Sequence, residues 1–402
     1  MYARKIEADP TRYVLDPELG VGELEESVRS VLPAALYHYV CGASEDGAAH
    51  ARNLRAFTEA SFFPRVMRDV SARSTKTTLL GVEYSHPFGI APMGFSRLIA
   101  ADGDVVLASA AARAGIPFIL SGSSLTRMED VKPQGATAWF QAYIPGEPDR
   151  IAALLDRVDE AGFDTLVVTA DTAVHPKHER AARHGFRSPV RPGPGLVWQA
   201  LTRPKWTWQI LLRDRLAGTR LRFENADART GPPVFSRTLV RDIGPRDALS
   251  WRHLEMVRKR WKGKLIIKGL MAAEDAVIAA ESGLDGIIVS NHGGRQLDCA
   301  VGSLQALERM AQLGLPITLM YDGAIRRGSD VLKALKSGAA FVFVGRPMLL
   351  AAALGGSQGV DEAIAIVARE IDITMALLGI RSVGEISDIE MTTKSTEHGV
   401  PA

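Results

Sequence analysis

Residues 286–298 read GIIVSNHGGRQLD. Ile287, Ile288 and Val289 are apolar in succession, without the apolar and polar alternation of a half-solvated strand, so the strand they predict is covered on both faces. Such strands belong to parallel sheets flanked by helices. The polar continuation then sets a histidine, two glycines and an arginine on one loop.

Working outward, the same pattern recurs at PFGIAPM (87–93), PFILSG (117–122), TAWFQAYI (137–144), TLVVTAD (165–171), LIIKG (265–269), ITLMYDG (317–323) and FVFVGR (341–346). Stretches between the runs, such as AAEDAVIAAESG and GSDVLKALKSG, have helical periodicity and stop on glycine. Eight strand and helix units predict an α/β fold of the (β/α)8 TIM-barrel type. A doubly wound sheet is the alternative, and it is disfavoured because no GxGxxG follows the first run.

One interval is too long for a single helix and two loops, the stretch from Asp171 to Leu265. It predicts a long insertion after strand four, at about residues 186–250. Within it VWQALTRPKWTWQILLRDRLAG (197–218) is basic and rich in tryptophan, which suits a helix capping the barrel or an amphipathic helix lying on a membrane or a partner. RFENADARTGPPVFSRT (222–238) is polar and reads as a mobile lid or a disordered loop. The expected organisation is an N-terminal helical segment packing on the barrel (1–80), the barrel itself (81–385) and a C-terminal tail (386–402).

Composition narrows the class. The 402 residues are 46% hydrophobic and 23% charged, with a net charge of +2, and such a balance does not point to nucleic acid. Cys41 and Cys299 are the two cysteines and lack metal-ligand spacing, so neither a disulfide framework nor a metal site is expected. The opening MYARKIEADPTRY has no apolar core of a leader, and no run is long enough for a membrane span, so a soluble cytoplasmic protein is expected.

In a barrel of this type the chemistry sits at the carboxyl ends of the strands. Those ends carry Ala91, Pro92 and Met93; Ser121; Gln141 and Tyr143; Thr169 and Asp171; Lys268; Ser290, Asn291, His292 and Arg295; Asp322; and Gly345 with Arg346. A histidine accepts a proton near neutral pH, and an arginine beside it clamps a carboxylate. Base and clamp together suggest a carboxylate substrate with a removable proton. Lys268 would set positive charge against something that becomes negative, such as a reduced flavin ring. DGAIRRGSDV and VGRPM supply helix starts and arginines where such barrels bind phosphate.

SNHGGRQLD resembles the active-site signature of the FMN-dependent alpha-hydroxy-acid oxidases and dehydrogenases. The resemblance runs from about residue 20 to 385, through IAPMGF with ADGD downstream, WFQAY, TADT, LIIKG, DGAIRRGSDVLKALKSGA and FVFVGRP in the family's order. It implies FMN as cofactor and oxidation of a lactate- or mandelate-like L-2-hydroxy acid to the 2-oxo acid. His292 would be the base while hydride passes to flavin N5, with Asp171 orienting it. Arg295 and Tyr39 would hold the carboxylate, Tyr143 would lie near the hydroxyl, and Lys268 near flavin N1 and its C2 carbonyl. Ser121, Gln141 and Thr169 would hold the ring, with Ser290 and Ala91, Pro92 and Met93 beside it. Asp322, Arg326, Gly345 and Arg346 would hold ribityl and phosphate.

Two positions depart from the family's pattern. His178 replaces the arginine expected seven residues after the strand-four aspartate, and is assigned to the substrate carboxylate with Lys177 adjacent. Ser123 and Ala142 predict a roomy pocket. The acceptor stays open among oxygen, a quinone and a cytochrome as a separate partner, and the resemblance implies a homo-oligomer. Peripheral contact with the inner face of the membrane is the further expectation for the insertion. A non-redox FMN barrel isomerase and a membrane-docked flavin-binding protein with weak turnover are the alternatives, the first disfavoured by the HGGR base and clamp.

Overall fold

In the computed structural model, eight parallel strands among the described residues close on themselves. They are β1 (Phe88–Ile90), β2 (Phe118–Ser121), β3 (Ala138–Ala142), β4 (Thr165–Thr169), β5 (Lys264–Leu270), β6 (Gly286–Val289), β7 (Thr318–Asp322) and β8 (Phe341–Val344). Each pairs with its neighbours in chain order, and β8 returns to β1. All residues are described except 1–2, 7–8, 17, 19, 135–136, 188–189, 192, 217, 219, 237–243 and 394–402. Parts of the expected insertion (188–189, 192, 217, 219 and 237–243) and of the expected tail (394–402) therefore lie outside the described residues.

The two-residue period of a strand sorts side chains between the barrel interior and the helix layer. Ile119, Trp139, Val167, Ile266, Ile288, Met320, Phe341 and Phe343 pack together in one buried cluster inside the barrel. Two positions further along their strands come Ser121, Gln141, Thr169, Lys268, Ser290 and Asp322, all buried. An apolar plug thus ends in a polar layer at the mouth. The alternate residues, among them Leu120, Phe140, Leu166, Ile267 and Ile287, belong to a second cluster under the helices.

The helix Pro148–Glu160 shows how the outer layer is held. Proline at its first position loses no bond, and Ile151, Leu154, Leu155 and Val158 fall at the spacing of one face and are buried. Each contributes roughly 2 kcal/mol of transfer free energy before ordering costs. The chain leaves the helix through Gly162 at φ +83, a conformation that glycine adopts without penalty.

The N-terminal segment supplies α1 (Ala34–Val40) and α2 (Ala48–Glu59), but it is not wholly helical. Ala3–Ile6 pairs antiparallel with Asp9–Leu15, where Thr11, Tyr13 and Val14 favour an extended chain. At the other end Met391–Thr392 pairs with Ser61–Phe62.

The insertion differs from its expected form in two ways. The stretch 197–218 is broken: one helix ends at Leu201 and a second begins at Pro204, a residue with no N–H to continue the first. The stretch read as a mobile lid is packed through Ser236. Asn225 is buried, accepts from Met128 N at 2.9 Å and donates to Thr126 O at 2.6 Å, and the Phe223 ring meets that of Phe95 at 5.3 Å. A few well-placed groups anchor it despite its polar composition.

Candidate active site

The polar layer is wired together. Lys268 is 3% exposed, and its ammonium stands 3.0 Å from Asp322 Oδ2 and 3.0 Å from Ser290 Oγ. Ser290 in turn donates to Asp322 and accepts from the backbone N–H of His292 at 3.0 Å. Burial opposes the charge on Lys268, but Asp322 and Asp171 outweigh it and raise its pKa. The lysine is therefore a fixed cation at the mouth.

Two members of the layer each carry one unpaired polar atom. Ser121 Oγ and Gly122 N donate to Gln141 Oε1 at 3.1 and 3.3 Å, so the amide turns Nε2 away from them. Gln141 Nε2 and Thr169 Oγ1 are buried with no hydrogen-bond partner among the described residues. Buried polar atoms of this kind call for a polar ligand. A flat ring with carbonyl and N–H edges, above a fixed ammonium, fits them.

The loop after β6 is shaped by contacts from far along the chain. Asn291 and Asn53 of α2 exchange amide hydrogen bonds of 2.7 and 2.9 Å, and Ser44 donates to Gly294 O from both N and Oγ. A Cβ at Gly294, which has φ +76, would lie 2.4 Å from His50 N, so only glycine allows α2 this close. His292 itself has φ +59. Its Nδ1 stands 3.1 and 3.2 Å from the two Asp171 oxygens. A carboxylate there selects the Nδ1–H tautomer and leaves Nε2 as the proton acceptor. Asp171 approaches because Gly269 has no side chain: a Cβ there would lie 2.7 Å from its carboxyl carbon.

Arg295 is braced by the end of α1. Its Nη1 donates to Tyr39 O at 2.7 Å and Gly42 O at 2.8 Å, and its guanidinium carbon lies 4.9 Å from the Tyr39 ring centre. Tyr39 also packs on Phe186 at 4.4 Å. Burial, then Asp171, raises the pKa of Tyr143, which stays a neutral donor. His178 is outside the cleft lining, its ring 6.4 Å from that of Tyr39. Burial, then Arg295, lowers its pKa to about 4, so it is neutral at physiological pH.

At the opposite end, Arg346 opens the helix Arg346–Leu378 behind Gly345. Burial, then Arg326 and Arg295, lowers its pKa to about 9. Its Nη2 donates to Gly293 O at 2.7 Å, while Arg326 is half committed to Glu25 at 2.5 Å. Crowded guanidiniums at a helix start form a phosphate site. The residues present thus fit both ends of FMN.

One cleft is lined by Tyr39, Ala91, Pro92, Met93, Ser123, Tyr143, Lys268, His292, Arg295, Asp322, Arg326, Gly345 and Arg346. Ser121, Gln141, Thr169 and Ser290 are buried outside that lining. Ala142 does not widen the pocket as expected: it is 1% exposed and packs in the helix-side cluster, because its neighbours Gln141 and Tyr143 take the inward positions. Asn53, Ser44 and Phe186 were not singled out from sequence, and nothing in their local pattern marks them.

The family model described as FMN-dependent dehydrogenase matches residues 28–393. An L-lactate dehydrogenase of Caulobacter sp. (strain K31) is 36% identical over 366 residues, covering 90% of this chain and 96% of that protein. A putative L-lactate dehydrogenase of Mycobacterium tuberculosis (strain ATCC 25618 / H37Rv) is 35% identical over 388 residues, covering 96% and 91%. Among solved structures, the monotopic membrane protein (S)-mandelate dehydrogenase superposes with a TM-score of 0.83 at 31% identity, covering 92% of this chain and 98% of that one. Mandelate oxidase with (S)-2-phenylpropionate gives a TM-score of 0.78 at 29% identity, covering 93% and 98%.

Proposed function

This chain belongs to the FMN-dependent dehydrogenase family, and on that premise we propose that its cleft oxidises an L-2-hydroxy acid, lactate- or mandelate-like, to the 2-oxo acid. The observation that carries the reading is His292, held by Asp171, opening on the same cleft as Arg295 and Lys268. His292 Nε2 takes the hydroxyl proton. Asp171 steadies the imidazolium that results, which makes the transfer easier as it proceeds. Arg295 and Tyr39 hold the carboxylate, Tyr143 donates to the hydroxyl oxygen, and His178 acts only as a neutral group behind Tyr39.

FMN supplies the acceptor for the two electrons when bound, with Arg326, Gly345 and Arg346 at its phosphate and Gln141, Thr169, Ser290 and Lys268 at its ring. Ala91, Pro92 and Met93 wall the ring site, and Ser121 orients Gln141. Lys268 and Asp322 keep a fixed charge pair at the mouth and need no reorganisation during turnover. Anaerobic mixing with L-lactate, L-mandelate and glycolate tests the reading through flavin absorbance. Bleaching by at least one acid is expected, and none at all would sink it. Reoxidation by oxygen, a quinone analogue or cytochrome c then identifies the acceptor.

A second reading concerns the insertion, and exposed apolar side chains favour it. Trp198, Leu201, Trp208 and Leu216 are 68%, 65%, 56% and 77% exposed, with Lys205 and Arg215 between them. Aromatic and aliphatic groups interleaved with cations suit the boundary of an anionic bilayer. Among the described residues no helix is long and apolar enough to cross a membrane, so the contact is peripheral. The structural neighbour described as a monotopic membrane protein supports this reading.

A further inference from the structure

Arg246 lies at the end of the insertion, just before the helix Trp251–Arg260, and is 7% exposed. Its guanidinium carbon stands 4.5 Å from the centre of the Tyr143 ring. Its Nε is buried with no hydrogen-bond partner, and no carboxylate pairs with it, among the described residues. Arg97 and Arg157 differ: Arg97 has Asp214 at 2.8 Å and Arg157 has Glu129 at 2.7 Å. The backbone is set firmly. A Cβ at Gly146 would lie 2.7 Å from the Pro245 ring, and Arg246 N donates to Gly244 O at 2.9 Å.

A largely buried cation without a counter-charge is costly, and a cation–π contact offsets only part of that cost. Something anionic is therefore expected to complete the site. FMN phosphate is not the answer, because its cations, Arg326 and Arg346, stand at the other end of the cleft. Tyr143 lines the cleft beside Lys268 and His292, while Arg295 is braced against Tyr39. Arg246 is outside that lining itself and adjoins it through the Tyr143 ring.

We propose that Arg246 forms a second anion subsite beside Tyr143, and that the preferred substrate is a 2-hydroxy dicarboxylic acid. Its 2-hydroxy carboxylate meets Arg295 and its distal carboxylate meets Arg246. The proposal rests on the oxidation assigned above. The same C–H and O–H bonds break and the same C=O forms: the hydroxyl proton goes to His292, FMN when bound would supply the acceptor for the C–H hydrogen with its electron pair, and the distal carboxylate only binds.

The test compares acids of equal chain length on the holoenzyme: L-malate with L-2-hydroxybutyrate, and L-2-hydroxyglutarate with L-2-hydroxyvalerate, by anaerobic flavin bleaching. The dicarboxylate is expected to lead in kcat/KM by about ten-fold or more, the worth of one charge-assisted bond. Arg246→Gln should collapse that ratio, and Arg246→Lys should restore part of it. Titration calorimetry with 2-oxoglutarate and 2-oxovalerate should show the same loss for the diacid alone. The proposal is overturned if dicarboxylates hold no advantage in the wild type, or if Arg246→Gln slows both acids equally. Bleaching by monocarboxylates alone overturns only this inference; bleaching by no 2-hydroxy acid overturns the oxidation itself.

Discussion

At the mouth of the barrel Lys268, Ser290, Asp322, Gln141 and Thr169 are polar and buried, whereas in the insertion Trp198, Leu201, Trp208 and Leu216 are apolar and exposed. Each region departs from the usual partition of residues in the opposite direction. The mouth offsets its burial internally, through the Lys268–Ser290–Asp322 network, and leaves two polar atoms for a ligand. The insertion turns some of its polar groups inward instead. Trp206 Nε1 donates to Leu98 O at 2.9 Å and Asp214 holds Arg97 at 2.8 Å, while Trp198, Leu201, Trp208 and Leu216 stay on the outer face. The difference teaches that a buried polar set and an exposed apolar set are both signs of a missing partner, one small and polar, one broad and apolar.

The sharpest way to break the comparison is at the mouth. His292→Gln should keep the yellow flavin but slow its reduction by substrate roughly 10²- to 10⁴-fold, the worth of a positioned base. Reduction at full speed would remove His292 from the role assigned to it. In the insertion, Trp198→Ser combined with Trp208→Ser should weaken co-flotation with anionic vesicles about ten-fold or more, given the area each ring can bury. Bleaching by a soluble acid should be unaffected. A wild-type protein that does not co-float at all would end the membrane reading.

The smallest effect returns to the mouth. His178→Arg, which adds a second cation near Arg295, should lower the KM for a 2-hydroxy acid by about three- to ten-fold. For the wild type the sign of the pH dependence follows from a pKa lowered from the ordinary histidine value to about 4. The folded state keeps the neutral form, so folding stability is unaffected above pH 6.5, declines as pH falls from 6.5 towards about 4, and has lost its full share below that. Titration of His178 should therefore leave no step between pH 6 and 8 in binding of a 2-oxo acid. A step there that disappears in His178→Gln would contradict the neutral assignment.

Much of the site was legible because a strand has a period of two. Once the apolar runs are read as strands, a polar residue two positions beyond an inward apolar one must point into the same barrel. Trp139 leads to Gln141, Val167 to Thr169 and Ile266 to Lys268 in this way. The same rule corrects the sequence reading at Ala142, which falls on the helix side. Arg246 and the Asn53–Asn291 pair obey no such rule. They reach the mouth from segments distant in the chain, and no local pattern records that arrival.

The insertion marks the other limit. Composition made RFENADARTGPPVFSRT a mobile lid or a disordered loop, yet one buried asparagine and one phenylalanine anchor its described part, residues 222–236.

What the sequence by itself determined is whatever depends on neighbours along the chain. Strand order and the succession of base, glycines and arginine in HGGR are of this kind, since sterics and periodicity act over a few residues. The tertiary structure alone decided which charges are paired. It gave Asp171 to His292, Asp322 to Lys268 and Glu25 to Arg326, and left Arg246 with an aromatic face and, among the described residues, no counter-charge. Coulomb attraction and desolvation depend on distance and burial in space, and two residues 75 apart in sequence, Asp171 and Arg246, acquire either only when the barrel closes.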